Sequence, residues 1–342
     1  MSNQLFKKAA VFTDIHFGKK NNDRQHNQDC EDFVKWFIEQ AQAREVDTII
    51  FTGDWHDNRH AIHVSTLNYS LSNMERLANA FPNFYFIPGN HDLYYKEKRE
   101  ISSVAIGRNL NNMTIINDFL TVGGVTFCPW LVGDDFKKIQ KLAKKSDYMF
   151  GHFELPHFMM NAMVEMPDHG GLNHTYFDDV TYWAFSGHFH KRQAKNKICY
   201  LGNPFPHNFA DAWDDERGMM FLEWGKDPEF INWKAGPKYR TLKISDLLES
   251  PTEYLDEMTY ARITADVNIN HDEAQFIKDT FQAHFNPRKI DVMPGAKEQD
   301  EQEFGDEVIF QSVDQIVIEG LKGIDSLTVD KNLLIEIYRG LS

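Results

Sequence analysis

The 342-residue sequence predicts a layered α/β fold followed by a small α+β module and a helical tail. Three observations carry this expectation. Over about the first 240 residues, short apolar runs alternate with stretches of helical periodicity. After Gly236-Pro237 the rhythm changes to a single strand–helix–strand unit. An acidic stretch then separates that unit from a last amphipathic segment. The expected boundaries are a main domain over 1–238, a small module over 239–296, an acidic linker over 297–313 and a helical segment over 314–342.

Taken in order, "KAAVFTDIHFG" reads as a strand running into a loop. "DCEDFVKWFIEQAQAREV" reads as a helix, because Phe33, Trp36, Phe37 and Gln40 trace one stripe at helical spacing. "DTIIFTGDWHD" is again strand then loop, "STLNYSLSNMERLANAF" a helix, and "NFYFIPGNHD" strand then loop. "VTFCPW", "YMFGHFE", "YWAFSGHFHK" and "ICYLGNPF" are further short strands. "ERGMM", with Met219 and Met220, reads as a core strand. Beyond residue 240, "TYARITADVN", "DEAQFIKDTFQAHF" and "RKIDVMPG" form the strand–helix–strand unit. Glu298 to Glu307 holds six acidic residues in ten and has little to pack, so it reads as a solvated linker. Leu333, Leu334, Ile337, Tyr338 and Leu341 mark the apolar stripe of the tail.

Composition narrows the class. Hydrophobic content of 42% and charged content of 25% are those of an ordinary globular protein. Cys30, Cys128 and Cys199 are far apart with no CxxC pair, which argues against a disulfide framework and fits a reducing cytoplasm. The N-terminal residues lack the long apolar core of a signal peptide. No segment approaches the roughly 20 apolar residues of a membrane span. The net charge of −15 is unevenly placed, since from Thr241 onward 9 Lys+Arg face 21 Asp+Glu. That balance argues against simple coating of nucleic acid. It is compatible with an enzyme whose acidic ligands are neutralised by bound cations.

Five loops follow five apolar runs: "TDIHFG", "TGDWHD", "PGNHD", "FGHFE" and "SGHFHK". Ligands of α/β folds bind in such loops beyond the strand ends. Together they offer Asp14, His16, Asp54, Asn90, His152, His188 and His190 as metal ligands. Carboxylate and amide oxygens mixed with imidazole nitrogens suit divalent ions such as Mn²⁺, Fe²⁺ or Zn²⁺. Seven donors are too many for one tetrahedral ion and suffice for two ions sharing a carboxylate. Two metals about 3.5–4 Å apart clamp an in-line displacement at phosphorus. His91, next to Asn90 but not needed as a ligand, is the candidate to stabilise or protonate the leaving oxygen. Asp92 would hold the His91 ring or the loop. Lys19, His56, Tyr94 and Lys191 flank the ligand loops and are candidate substrate contacts. Trp55, Tyr94 and Tyr95 would stack on unpaired bases or wall the cleft.

In this order, "DIH", "GDWHD", "GNHD", "GH" and "GHFH" resemble the calcineurin-like metallophosphoesterase superfamily over roughly residues 5 to 225. The resemblance implies a four-layer α/β/β/α sandwich with a C-terminal capping module. It places Asp14, His16, Asp54 and His190 on one metal ion. Asp54, Asn90, His152 and His188 go on the other, with Asp54 bridging. Within the superfamily the chain is most similar to the SbcD-type nucleases of double-strand-break repair and recombination, and to their phage counterparts. "DIHFGKK" carries the glycine of a DxHxG pattern, and "YLGNPFPHNFADAWDDERGMMFLEW" follows "GHFH" as a YxGxP segment and closing strand does. This implies a Mn²⁺-dependent DNA exo/endonuclease subunit acting as a homodimer. The C-terminal helices would dock on an SbcC-type coiled-coil ABC ATPase.

Two departures stand out: His56 sits where a hydrophobic residue is usual, and Asn203 replaces the commoner serine before Pro204. The plain reading of the loop residues is that they cap turns and helices, as Asp54 alone would. The ordered set of five loops outweighs it. The other histidines, His26 and His207 among them, read as surface or local hydrogen-bonding residues. The competing functions are a phosphomonoesterase or cyclic-nucleotide phosphodiesterase with the same metal core, and a non-catalytic assembly subunit.

Overall fold

The computed structural model describes residues 4–160, 164–168, 170–267 and 269–293. The expected acidic linker and helical tail lie outside the described residues. The chain begins β1 (Lys8–Phe12), α1 (Arg24–Ala43), β2 (Thr48–Phe51), α2 (Val64–Ala80) and β3 (Asn83–Phe86). A hairpin of β4 (Leu93–Tyr95) and β5 (Lys98–Ser102) follows, then β6 (Met113–Ile115). The second half contains β7 (Leu120–Val122), β8 (Val125–Phe127), α3 (Phe136–Ala143), β9 (Tyr148–His152) and β10 (Trp183–Gly187). It closes with β11 (Gln193–Lys195), β12 (Ile198–Tyr200), β13 (Gly218–Glu223) and β14 (Glu229–Asn232).

These strands make two six-stranded sheets, ordered β14-β13-β1-β2-β3-β6 and β11-β12-β10-β9-β8-β7. The centre of each sheet is parallel: β1, β2, β3 and β6 in one, β8, β9, β10 and β12 in the other. A strand covered on both faces reads as an unbroken apolar run, and β1 shows why. Ala10 and Phe12 face Phe33, Phe37 and Leu77 of the helical layer. Ala9 and Val11, pointing the other way, meet Phe127, Phe150 and Phe185 of the second sheet. Beyond that sheet, Met149, Ala184 and Ile198 pack on Ile139 and Ala143 of α3. The layers are therefore α/β/β/α. Met219 and Met220 of β13 fall on opposite faces, one in each core, as adjacent residues of a buried strand must.

The small module contains β15 (Lys238–Lys243), α4 (Ile244–Glu249), α5 (Pro251–Tyr254), β16 (Thr259–Thr264), α6 (His271–Phe285) and β17 (Lys289–Met293). Its sheet is ordered β15-β16-β17, all parallel, over a core that includes Leu242, Ile263, Phe281 and Ile290. The strand–helix–strand unit is β16–α6–β17, and β15 adds a strand ahead of it. Arg288 makes a two-pronged pair with Asp29 of α1, both N···O distances 2.6 Å. No helix among the described residues is long and apolar enough to cross a membrane.

Candidate metal centre

Parallel strands deliver their C-terminal ends to one edge, so the loops after β1, β2, β3, β9 and β10 converge there. His16 Nε2 lies 3.3 Å from His190 Nε2, 3.8 Å from Asp54 Oδ2 and 3.9 Å from Asp14 Oδ1. On the other side, His152 Nε2 is 3.4 Å from Asp54 Oδ2 and 3.1 Å from Asn90 Oδ1. His188 Nδ1 is 3.0 Å from the same Asn90 oxygen. All seven predicted donors thus meet, in two groups on either side of Asp54. A third group, His16, Asp57 and His91, adjoins them.

The backbone bends sharply to achieve this. Asp14, His16, Asp54 and His188 have φ of 51°, 53°, 62° and 86°, in the left-handed region that side chains rarely adopt. Such strain persists only where surrounding structure over-determines it, and it gathers at functional sites. Gly53, at φ 113°, makes the turn before Asp54. Gly187 serves by close approach: a Cβ there would collide with Thr13 Oγ1 and lie 2.7 Å from the Thr52 carbonyl oxygen.

Hydrogen bonds fix which atom of each donor is free. His152 donates Nδ1–H to the Thr52 carbonyl at 2.7 Å, leaving Nε2 to face Asp54. Thr13 donates to Asp14 Oδ2 at 2.6 Å. His91 donates Nδ1–H to the Asp57 carbonyl at 2.7 Å, which leaves its Nε2 for the cleft. His16 Nδ1 makes no hydrogen bond and lies 3.4 Å from Asp57 Oδ1, while its Nε2 faces His190, Asp14 and Asp54. Oxygen and nitrogen donors convergent on two points fit a pair of divalent ions.

The electrostatics agree with a site built to receive cations. Burial pushes Asp14 up to about 6. Burial also pushes His188 down to about 3 and His190 down to about 4, so both imidazoles keep their lone pairs. At His152 burial acts downward, but Asp54 outweighs it and lifts the ring to about 9. Burial likewise acts upward on Asp54, where His152, His91 and His188 win and hold it below the usual carboxylate range. Asp54 and His152 therefore hold a proton between them that a cation would replace.

The remaining predicted residues divide. Asp92 does not touch the His91 ring. Fully buried, it accepts from the backbone N–H groups of Gly89, Asp54, Trp55 and His56 at 2.9–3.1 Å, so it holds the loops and not the imidazole. His56 is 1% exposed and hydrogen-bonded to Ser103 and Ser70, at 2.8 and 2.7 Å, which removes it as a substrate contact. Trp55 is a core residue. Lys19 pairs with Asp57 at 3.0 Å beside His16 and His91. Lys191 is half-buried at the end of the His188–His190 loop. Tyr94 stands exposed on the first strand of the hairpin beyond His91.

The structure also adds residues that sequence reasoning missed. Asp57, the last letter of "GDWHD", approaches His16 Nδ1 at 3.4 Å as well as orienting His91. Arg217 is buried, donates to the His190 carbonyl and Asn203, and pairs with Asp214 at 2.8 Å, so it braces a ligand loop. His26 and His207 are not at the surface. His26 meets the His16 carbonyl at 3.0 Å, and the buried His207 ring lies 5.6 and 5.5 Å from those of His16 and His190. Only the unusual density of histidine near these motifs hinted at this.

A family model described as Calcineurin-like phosphoesterase matches residues 7–192. Exonuclease subunit 1 of Enterobacteria phage T4 is 25% identical over 336 residues, covering 94% of this chain and 95% of that protein. An uncharacterized metallophosphoesterase of Helicobacter pylori strain J99 is 27% identical over 122 residues, 35% of this chain and 28% of that protein. Among solved structures, a dimetal phosphatase from Danio rerio matches at 11% identity with a TM-score of 0.42, covering 66% of this chain and 95% of that one.

Proposed function

The chain belongs to the calcineurin-like phosphoesterase family, and we propose that it is a two-metal DNA exo/endonuclease subunit of a double-strand-break repair and recombination complex. It is a metal-dependent phosphodiesterase. The observation that carries the two-metal part of the reading is the pair of donor groups joined by one carboxylate, Asp54, at the shared edge of the two sheets. Asp14, His16, Asp54 and His190 would hold one ion, and Asp54, Asn90, His152 and His188 would hold the other. The mixture of oxygen and imidazole donors suits Mn²⁺, Fe²⁺ or Zn²⁺, and Mn²⁺ is the ion we propose. When bound, the pair supplies Lewis acidity at a phosphoryl oxygen and an acidified water for in-line attack.

The protein's own groups do the rest. His91, its Nδ1–H anchored on the Asp57 carbonyl, presents Nε2 to the leaving oxygen and, when Nε2 also carries a proton, transfers that proton to it and returns to the neutral ring. Asp57 keeps His16 and His91 in register. Asp92 holds the backbone of the Asp54 and Asn90 loops together. A relative that spans nearly the whole chain and is named an exonuclease subunit supports nucleic acid as substrate and a multi-subunit assembly. The net charge of −15 supports a partner that contributes basic surface. We take that partner to be an SbcC-type ATPase bound by residues 314–342, with the nuclease itself a homodimer.

The test is hydrolysis of end-labelled duplex DNA in Mn²⁺ against Mg²⁺, with and without an ATPase partner. Mn²⁺-dependent shortening of the strand is expected. Rapid hydrolysis of phosphomonoesters with intact DNA would replace this reading by the phosphatase alternative.

A further inference from the structure

The hairpin β4–β5 begins two residues after His91, and its first strand carries Tyr94 and Tyr95, 41% and 44% exposed. In a regular strand, neighbouring side chains point to opposite faces, and this solvent-facing hairpin leaves both open. The register of β4 with β5 shifts between Leu93 and Tyr95. A bulge of this kind re-aims a side chain, and such bulges concentrate beside active sites. Leu93 stays fully anchored in the protein while both tyrosines turn outward. Their rings meet edge to face, centroids 4.9 Å apart. Tyr94 also contacts His60, centroids 5.4 Å apart, and His60 lies on the loop whose Asp57 carbonyl orients His91. The two loops that flank His91 therefore join in one exposed aromatic corner. Lys98 approaches the Tyr95 ring at 5.7 Å, and Lys96 is exposed beside it.

We propose that Tyr94 and Tyr95 form a stacking platform for unpaired bases next to the scissile phosphate, so that the enzyme engages single-stranded or frayed nucleic acid at this corner. The inference rests on the nuclease reading and deepens it. Base–aromatic stacking tolerates any sequence because every base has a π-face, and flanking lysines complement the backbone phosphates. At about 1–3 kcal/mol per base, its loss is about 5- to 150-fold.

The experiment compares cleavage of a single-stranded oligonucleotide with that of an abasic oligomer of equal length, which keeps the phosphates and lacks the bases. The full chain should favour the base-bearing strand in kcat/KM by about 5- to 150-fold. Tyr94→Ala/Tyr95→Ala should erase that preference, and Tyr94→Phe/Tyr95→Phe should retain it because the ring survives. Equal cleavage of both substrates by the native protein, or an undiminished preference in the alanine pair, overturns the platform. An undiminished preference with loss of a co-purifying protein reassigns the corner to protein docking and overturns it too. If the native protein hydrolyses bis(p-nitrophenyl) phosphate but neither oligomer, the nuclease reading itself falls, and the platform with it.

Discussion

His91 and Asp92 are adjacent, yet one faces the cleft and the other is sealed beneath it. His91→Ala should lower hydrolysis about 100- to 10,000-fold, the usual worth of a general acid. Bound metal and melting temperature should stay those of the native protein; loss of both ions in this variant would contradict the division of roles. Asp92→Asn should do the opposite, since it weakens bonds to four backbone N–H groups at a fully buried site. A loss of about 3 kcal/mol or more is expected in denaturant melts. Titration offers a second check. The proton held by His152, whose ring is lifted to about 9, is present at pH 7 and must leave when Nε2 becomes a ligand. Burial keeps Asp14 near 6, so it too binds a proton below that pH. Apparent metal affinity should therefore rise as pH rises through 6 and on toward 9. Calorimetry in buffers of different ionisation enthalpy should register net proton release at pH 7; none would overturn the assignment of His152.

The turns at the strand ends are as exacting as the ligands. Gly187 lies where the end of β10 crosses the β1 and β2 turns, and an added methyl would meet Thr13, the Thr52 carbonyl and the His152 ring at once. Gly187→Ala leaves every ligand in place, yet it should lower metal content measured after purification. Full retention of metal would show that the turn yields more than its contacts imply. The strands and long helices were legible because burial writes itself into period: two faces for β1, one stripe for α1. The short helix α3 was not: "FKKIQKLA" spaces Phe136, Ile139, Leu142 and Ala143 along one face, but eight residues are too few turns for a period to stand out. The β4–β5 hairpin was equally silent, because most of its residues face solvent.

Arg288 and Asp29 tie the small module to the helical layer across 259 residues of sequence. Burial pushes the Asp29 carboxyl above its ordinary range even with Arg288 against it, while at Arg288 burial acts downward and the bonds to Asp29 outweigh it and hold the charge more firmly, so desolvation offsets part of the pair's attraction. Removing one partner still strands the other, and Arg288→Ala should destabilise by about 3 kcal/mol. Arg288→Met/Asp29→Leu should recover most of that in the same melt; no recovery would mean that Arg288 matters through its other neighbours. What the sequence determined by itself was the alternation of strands and helices and which polar residues stand just past the strand ends, because each of the seven candidate donors follows an apolar run within a few residues. Tertiary structure alone decided the work of Asp92, His56, Asp57 and Arg217. Each of these acts through a partner far away in the chain, and a partner brought near only by folding leaves no period or spacing to read.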